Sequence, residues 1–187
     1  MKNAIWYIGW SMGGSPGKDK RGKAGTPYAL PRALQDILFP VCLAAFSFVK
    51  CGRGVDLADT GYSLGNFLYP DTVQDMWYLS TYLANVVGRA LTALPFGNCM
   101  LGMRIYTAGL VCGMALISYR FCVRKLRMPA WIAFIGNGTA VGLCWCPTVI
   151  LYNYLTYVFL LLAMLALYTG ITEEKRGYFF LAGGFLG

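Results

Sequence analysis

The stretch PTVILYNYLTYVFLLLAMLALYTG, residues 147–170, carries no charged side chain and is the most apolar part of the chain. A helix that crosses a lipid bilayer needs about 20 consecutive, mainly apolar residues. The stretch satisfies that requirement. We therefore predict that residues 147–170 form a transmembrane helix.

The composition of the whole chain agrees with this reading. Of the 187 residues, 57% are hydrophobic and 13% are charged, whereas an average soluble domain has about 45–50% apolar and about 25% charged residues. The charges also gather in short clusters between long uncharged runs. That distribution is typical of a membrane protein that crosses the bilayer several times.

Three further apolar runs predict additional spans, at about residues 33–50, 101–123 and 129–146. A fifth begins at Tyr178 and reaches only Gly187, which is too short to cross. The predicted fold is thus an all-α membrane bundle (residues 33–187) of four complete spans and a truncated fifth, and we expect the chain to be a fragment. Residues 1–32, rich in Gly, Lys and Ser, predict a basic, disordered tail.

The positions of the basic residues predict the orientation, because Lys and Arg concentrate on the cytoplasmic side of membrane proteins. With the N-terminus in the cytoplasm, the outer side holds only Lys50, Arg53, Arg89 and Arg104. The cytoplasmic segments then hold Lys2, Lys18, Lys20, Arg21, Lys23, Arg32, Arg120, Arg124, Lys125, Arg127, Lys175 and Arg176. We predict a multi-pass plasma-membrane protein whose long loop, residues 51–100, faces outward.

Within this outer loop, residues 76–94 predict an amphipathic helix that lies in the interface plane. Its apolar face comprises Leu79, Leu83, Val86, Val87, Ala90, Leu91 and Leu94, and its polar face Ser80, Thr81, Asn85, Arg89 and Thr92. Cys51 and Cys99 bracket the loop, and a disulfide between them is one pairing that the sequence allows.

Several function classes are excluded by composition. The chain has no histidine, which removes Ser-His-Asp and Cys-His catalysis and every His-ligated metal site. The net charge of +8 does not indicate nucleic-acid binding, because the bases lie at the ends of apolar segments rather than on one folded face. The sequence assigns no metal ligand, and it leaves the use of a divalent cation open.

The segment Asp56-Leu57-Ala58-Asp59-Thr60-Gly61-Tyr62 follows directly after the first predicted span. A carboxylate at the water–lipid boundary can meet a substrate whose tail is in lipid and whose head is in water. Its surroundings can tune it to act as a base or as a cation ligand. The alternative is a loop acid that caps the next helix, as Asp often does. Spacing alone leaves both readings open.

The sequence Asp59-Thr60-Gly61-Tyr62, and the later stretch from Trp145-Cys146-Pro147 to Tyr152-Asn153-Tyr154-Leu155-Thr156, resemble the GT-C superfamily of integral-membrane glycosyltransferases. The resemblance is strongest to bacterial members related to protein O-mannosyltransferases and lipid A aminoarabinose transferases. It implies transfer of a sugar from a polyprenyl-phosphate donor to an acceptor on the outer face. Asp59 would be the catalytic acid, with Asp56 as the alternate. Many relatives carry a second acid where this chain has Thr60, so a carboxylate pair is not matched.

The same resemblance implies residues that bind the substrate. Arg89 and Arg104 are the outer-side cations available for the donor phosphate, although Arg89 on an interfacial helix can also simply extend to the headgroups. Tyr152 and Asn153, near the outer end of the fourth span, are candidates to line an outward-opening cavity. Tyr62 offers an aromatic face to a sugar. The expected partners are the lipid bilayer and the lipid-linked sugar donor, and no other cofactor is required.

Two other function classes remain open at this stage. A transporter or channel fragment would need ionisable residues inside the bundle at mid-membrane, and the middles of the second to fourth predicted spans contain none. A non-catalytic membrane scaffold or assembly protein is compatible with everything the sequence contains.

Overall fold

A computed structural model of the chain describes residues 32–49, 51–52, 57–72, 81–144 and 149–186. Residues 1–31 of the predicted tail, Asp56, and the Trp145-Cys146-Pro147 motif lie outside these described residues. The helices are α1 (Arg32–Val49), α2 (Leu57–Leu68), a 3-10 turn (Pro70–Thr72), α3 (Tyr82–Thr92), α4 (Met100–Arg124), α5 (Ala130–Cys144), α6 (Tyr152–Glu173) and α7 (Arg176–Leu186). The described part of the chain is all-helical and contains no strand, as predicted.

Two of these helices are long and apolar enough to cross a membrane. They are α4, with 25 residues and a mean hydropathy of 1.6, and α6, with 22 residues and a mean hydropathy of 1.9. The apolar parts of α1 and α5 are shorter and cover Leu34–Val49 and Ala130–Leu143. Two helices of the described chain therefore meet the length and composition requirements of a span, whereas the count of four complete spans stays a prediction.

The predicted fourth span and helix α6 start at different residues. This helix begins at Tyr152, five residues after the predicted Pro147. Val149 and Ile150 precede it outside the helix, and their side chains are buried at 0% and 3% exposure. Leu151, which caps α6, is extended, with φ −108° and ψ 161°. The sequence predicts a helix here because a short apolar run in a sequence does not distinguish a buried helical segment from a buried non-helical one.

Helices α1, α4 and α5 pack around a core of Leu43, Tyr119 and Ala133. The rings of Phe39 in α1 and Phe134 in α5 stack with centroids 4.7 Å apart. A second cluster joins α4 to α5 and α6, and its buried members are Cys51, Ala108, Val111, Ala115, Val141 and Tyr154. Small residues on α4 allow the neighbouring helices to approach closely, as is common between membrane helices.

Helices α6 and α7 form a tight hairpin. A Cβ atom added at Gly170 would lie 3.1 Å from the Cβ of Tyr178, so glycine permits this close approach. At the other end of α7, the rings of Phe159 and Phe185 stack with centroids 6.3 Å apart. The predicted fifth segment therefore exists as a helix of 11 residues, which is shorter than a span.

The predicted interfacial helix corresponds to α3, and residues 73–80 of that region lie outside the described residues. The predicted apolar face includes both core contacts and exposed positions, which an interfacial helix would turn to lipid. Val87 packs against the core, but Leu83 and Val86 are 47% and 46% exposed. The buried residues of α3 are instead Ala84 and Gly88, because their small size admits a close neighbour from α2.

Candidate functional site

The segment that contains Asp59 is a helix, whereas the sequence suggested a loop. Polar side chains recur in α2 at Asp59, Ser63 and Asn66, and Tyr62 lies between them. This is the i, i+3, i+4, i+7 spacing that places residues on one helix face. Asp59 lies in the first turn of α2, where the positive end of the helix dipole stabilises a carboxylate.

The C-terminal half of α2 holds the helix against α3 and the start of α6. Phe67 is 2% exposed and belongs to a core cluster with Ala84, Met103 and Ile150. A Cβ added at Gly88 would lie 2.5 Å from the ring of Phe67. Helix α3 can therefore approach α2 only because residue 88 is glycine, and this contact brings their polar faces together.

A cleft of about 340 Å³ lies between α2, α3 and the start of α6. Ligand-binding clefts in proteins commonly measure about 300–1,000 Å³. The lining residues are Asp59, Tyr62, Ser63, Asn66, Phe67, Thr81, Ala84, Asn85, Ile150, Leu151, Tyr152 and Asn153. Most lining residues from α2 are thus polar, whereas those at the start of α6 include both apolar and polar side chains.

One wall of the cleft has a fixed side-chain orientation. The Nδ2 atom of Asn85 donates a hydrogen bond of 3.0 Å to the hydroxyl oxygen of Thr81, one helical turn earlier. This bond satisfies one amide proton and restrains the amide group, which retains a carbonyl oxygen that can accept hydrogen bonds. A restrained amide loses less conformational entropy when it binds a ligand.

The polar lining residues can form hydrogen bonds with a ligand. Asp59 supplies a carboxylate, while Asn66, Asn85 and Asn153 supply amides that both donate and accept hydrogen bonds. Tyr62 and Tyr152 add aromatic rings, and they are 50% and 54% exposed. Among the described residues that line the cleft, none is a lysine or an arginine. The cleft therefore offers hydrogen-bonding groups and aromatic rings, and its described lining residues supply no cation for a phosphate.

The structure brings together four of the residues that the sequence singled out. Asp59, Tyr62, Tyr152 and Asn153 all line the one cleft. Asp56 lies outside the described residues. The two predicted phosphate-binding arginines are not lining residues: Arg89 is exposed on α3, and Arg104 is buried in α4 at 5% exposure.

Arg104 does not line the cleft and lies close to Cys51, just after the end of α1. The thiol of Cys51 donates to the backbone carbonyl of Arg104 across 3.8 Å. Burial raises the pKa of Cys51, and the nearby charge of Arg104 partly opposes that rise. Arg104 is thus buried by long-range packing rather than exposed, and its role as a phosphate ligand stays a prediction.

The disulfide that the sequence allowed between Cys51 and Cys99 is absent. Both residues are free thiols, Cys51 buried and Cys99 exposed. The thiol of Cys99 donates to the carbonyl of Phe96, 3.1 Å away in the α3–α4 connection, while that of Cys51 faces Arg104. Each thiol therefore has a separate local acceptor, and the two do not pair.

We expect these two thiols to differ in reactivity. Brief treatment of the folded chain with iodoacetamide at neutral pH should alkylate Cys99 and leave Cys51 largely unmodified, because the thiolate is the reactive form and burial raises the pKa of Cys51. Mass spectrometry of the two peptides measures the difference, and alkylation after denaturation provides the reference. Equal modification of both thiols in the folded protein, or recovery of a linked peptide pair, would contradict the structure.

Four polar lining residues were not predicted as site residues: Ser63, Asn66, Thr81 and Asn85. The spacing of Asp59, Ser63 and Asn66 contains a helical signal that could have identified the first two. Thr81 and Asn85 were assigned to the polar face of the interfacial helix, but nothing local connects that face to Asp59. Their role depends on the contact between Phe67 and Gly88, which joins distant parts of the chain.

Within the described ranges, no three Cys, Asp or Glu side chains come together in a way that could hold a metal ion. The sequence contains no histidine.

The chain matches no model of a known protein family, no curated protein and no solved structure.

Proposed function

We propose that this chain is part of a membrane-embedded glycosyltransferase that moves a sugar from a polyprenyl-phosphate donor to an acceptor. The observation that carries the proposal is the convergence of Asp59, Tyr62, Tyr152 and Asn153 on one cleft. These residues were selected from two distant stretches through the resemblance to the GT-C superfamily. Their meeting in one cleft is what a shared substrate site requires.

The surface of α6 supports a membrane location. Tyr157, Leu160, Met164 and Ile171 recur at helical spacing and are 53%, 45%, 58% and 62% exposed. Only 17% of the apolar window of α6 is buried, whereas the core helix of a soluble protein is mostly buried. Soluble monomers rarely expose large continuous apolar surfaces. In a bilayer these side chains would face lipid.

The length of α6 supports an outward-facing cleft. Asn153 and Glu173 lie at opposite ends of this 22-residue helix, which at about 1.5 Å per residue spans about 33 Å. The hydrocarbon core of a bilayer is about 30 Å thick. The basic residues that follow α4 and α6 lie at the Glu173 end, so the positive-inside rule assigns that end to the cytoplasm. In this orientation the cleft faces outward and the N-terminus is cytoplasmic. Helices α1 and α5 complete the four proposed spans.

In the proposed reaction, Asp59 accepts the proton of an acceptor hydroxyl. The acceptor oxygen then forms a bond to the anomeric carbon of the sugar. The bond between that carbon and the phosphate oxygen breaks, and the electron pair leaves with the polyprenyl phosphate. Asn66, Asn85 and Asn153 would hold the sugar hydroxyls while Asp59 acts as the general base, a role typically worth about 100- to 10,000-fold in rate.

The phosphate would have to be bound at the margin of the cleft, because its described lining residues include no cation. Arg89 follows Asn85 by four residues in α3 and so lies on the same helix face, one turn away. It is exposed, and its guanidinium can bind phosphate through two parallel hydrogen bonds. Arg89 is therefore a better candidate than buried Arg104, and the use of a divalent cation is left to experiment.

A mostly apolar cavity of about 220 Å³ between α4, α5 and α6 suits the hydrocarbon part of a lipid-linked donor. Its walls include Val111, Met114, Val141 and Leu161, and Tyr154 reaches it from the helix that carries Asn153. A cavity lined mainly by apolar side chains accepts hydrocarbon and excludes charged groups, because a buried charge without a partner is costly.

The test is an assay of the full-length protein in proteoliposomes with a panel of polyprenyl-phosphate sugars and outer-envelope extracts as acceptors. We expect consumption of at least one donor, dependent on the acceptor and detected by mass spectrometry of the extracted lipids. Failure of every donor, with a correctly inserted protein, would overturn the assignment. The transporter and scaffold alternatives gain no specific support from the described residues.

A further inference from the structure

The end of the bundle opposite the cleft carries a dense group of exposed cations, which we call the cationic surface. Its members come from the end of α4, the α4–α5 connection and the α6–α7 turn, and they are Arg120, Arg124, Lys125, Arg127, Lys175 and Arg176. The described acids at this end are Glu173, Glu174 and Asp36, the last of which lies within electrostatic reach of Tyr119. Cations therefore outnumber acids two to one.

Ion pairs and ring contacts hold the two turns side by side. Glu173 binds Lys125 through one carboxylate oxygen and Lys175 through the other, the latter at 2.9 Å. One turn deeper, the rings of Phe121 and Tyr168 meet edge to face, with centroids 5.3 Å apart. The cations of both turns thus form one surface. Arg124, Arg127 and Arg176 are exposed members outside this ion pair.

Exposed apolar side chains lie next to these cations in the sequence and the fold. Trp131 in the first turn of α5 is 56% exposed, Phe180 in α7 is 81% exposed, and Leu126 between the cations is 39% exposed. Trp and other amphipathic or apolar side chains below a ring of Lys and Arg are typical of the depth at which lipid headgroups meet acyl chains. The combination matches a phospholipid that presents an anionic headgroup above its hydrocarbon.

We propose that the cationic surface is a docking site for the headgroups of anionic phospholipids in the adjacent leaflet. The proposal rests on the membrane placement given above but does not depend on the glycosyltransferase activity. Charge complementarity identifies the partner, because arginine guanidinium groups bind phosphodiester oxygens bidentately. Each basic residue near a membrane surface strengthens its attraction to anionic lipid by roughly fivefold.

The experiment measures which lipids remain bound to the full-length protein. Protein purified in mild detergent is equilibrated with equal amounts of phosphatidylglycerol and phosphatidylcholine, and the lipids retained are counted by native mass spectrometry. We expect retention of phosphatidylglycerol over phosphatidylcholine. The triple variant Arg124→Gln, Arg127→Gln, Arg176→Gln should lose that preference by at least roughly tenfold. High salt should weaken it as well, because exposed charges are screened.

Two controls separate a loss of the surface from a loss of the fold. Replacing the same three residues by lysine keeps the charge and should retain most of the preference, and Asp71→Asn, an exposed charge in the 3-10 turn Pro70–Thr72, should leave it unchanged. An equal retention of both lipids by the wild type, or an unchanged preference in the folded glutamine variant, would overturn the proposal. Extraction of the wild type from membranes by alkaline carbonate would instead contradict the membrane placement itself.

Discussion

Replacing Asp59 by asparagine should abolish most of the sugar transfer while leaving the protein folded. Asparagine has nearly the same shape but cannot accept the proton of an acceptor hydroxyl. We expect the rate of donor consumption to fall by about 100- to 10,000-fold, the usual contribution of a general base. Asp59 is exposed at the wall of the cleft, so no core packing is lost. The measurement is the acceptor-dependent loss of the polyprenyl-phosphate sugar, compared at equal protein amounts.

The matched control is Asp71→Asn. Asp71 is also an exposed aspartate of the predicted outer region, in the 3-10 turn Pro70–Thr72, and it does not line the cleft. Its replacement should leave transfer unchanged. If Asp59 only stabilises the first turn of α2, its replacement would cost about 0.3–1 kcal/mol of stability and would leave the rate near the wild-type value. A folded Asp59→Asn variant with wild-type rate would therefore refute the catalytic role.

The large helices were predictable because their apolar runs are long and uninterrupted. The apolar stretches predicted α1, α4 and α5 within about two residues. Helix α2 was missed because it is short and contains Gly61 and Gly65, which weaken a helix in isolation. It is stable in the structure because Phe67 packs into a core built from α3, α4 and the segment before α6. That stabilisation comes from tertiary contacts, which no local pattern reveals.

The candidate site was predictable only where residues carried a recognisable motif. Asp59 and Tyr62 came from one motif and Tyr152 and Asn153 from another, and packing brings these motifs together. Asn85 could not be assigned because its position depends on the close approach of α3 to α2. The burial of Arg104 could not be predicted for a related reason: a charge near a helix end is usually exposed, but here neighbouring elements bury it.

A second large effect is expected from Gly102→Ala, at the start of α4. A Cβ atom at this position would lie 2.0 Å from the backbone carbonyl oxygen of Phe96. That oxygen cannot easily move, because it accepts a backbone hydrogen bond of 3.2 Å from Cys99 and also the Cys99 thiol. Phe96 itself has a positive φ of 61°, so the connection from α3 to α4 is already in an uncommon conformation.

The clash must therefore displace the α3–α4 connection or the first turn of α4. We expect a loss of about 3 kcal/mol, the upper part of the usual range for overpacking. Because α3 supplies Thr81, Ala84 and Asn85 to the cleft, the same displacement should reduce ligand binding and transfer as well. Thermal unfolding of the purified protein in detergent measures the stability, and the donor assay measures the effect on the cleft.

Gly109→Ala in the same helix is the matched control, and we expect it to change the stability of the protein in the opposite direction. A Cβ atom at Gly109 would have no neighbour within 4 Å, and alanine stabilises a helix interior by about 0.5–1 kcal/mol relative to glycine. The stability of this variant should therefore rise slightly, and its transfer rate should stay at the wild-type level. The close packing of Phe96 over Gly102 would be contradicted if the two variants were equally stable, because helix propensity alone would then account for both.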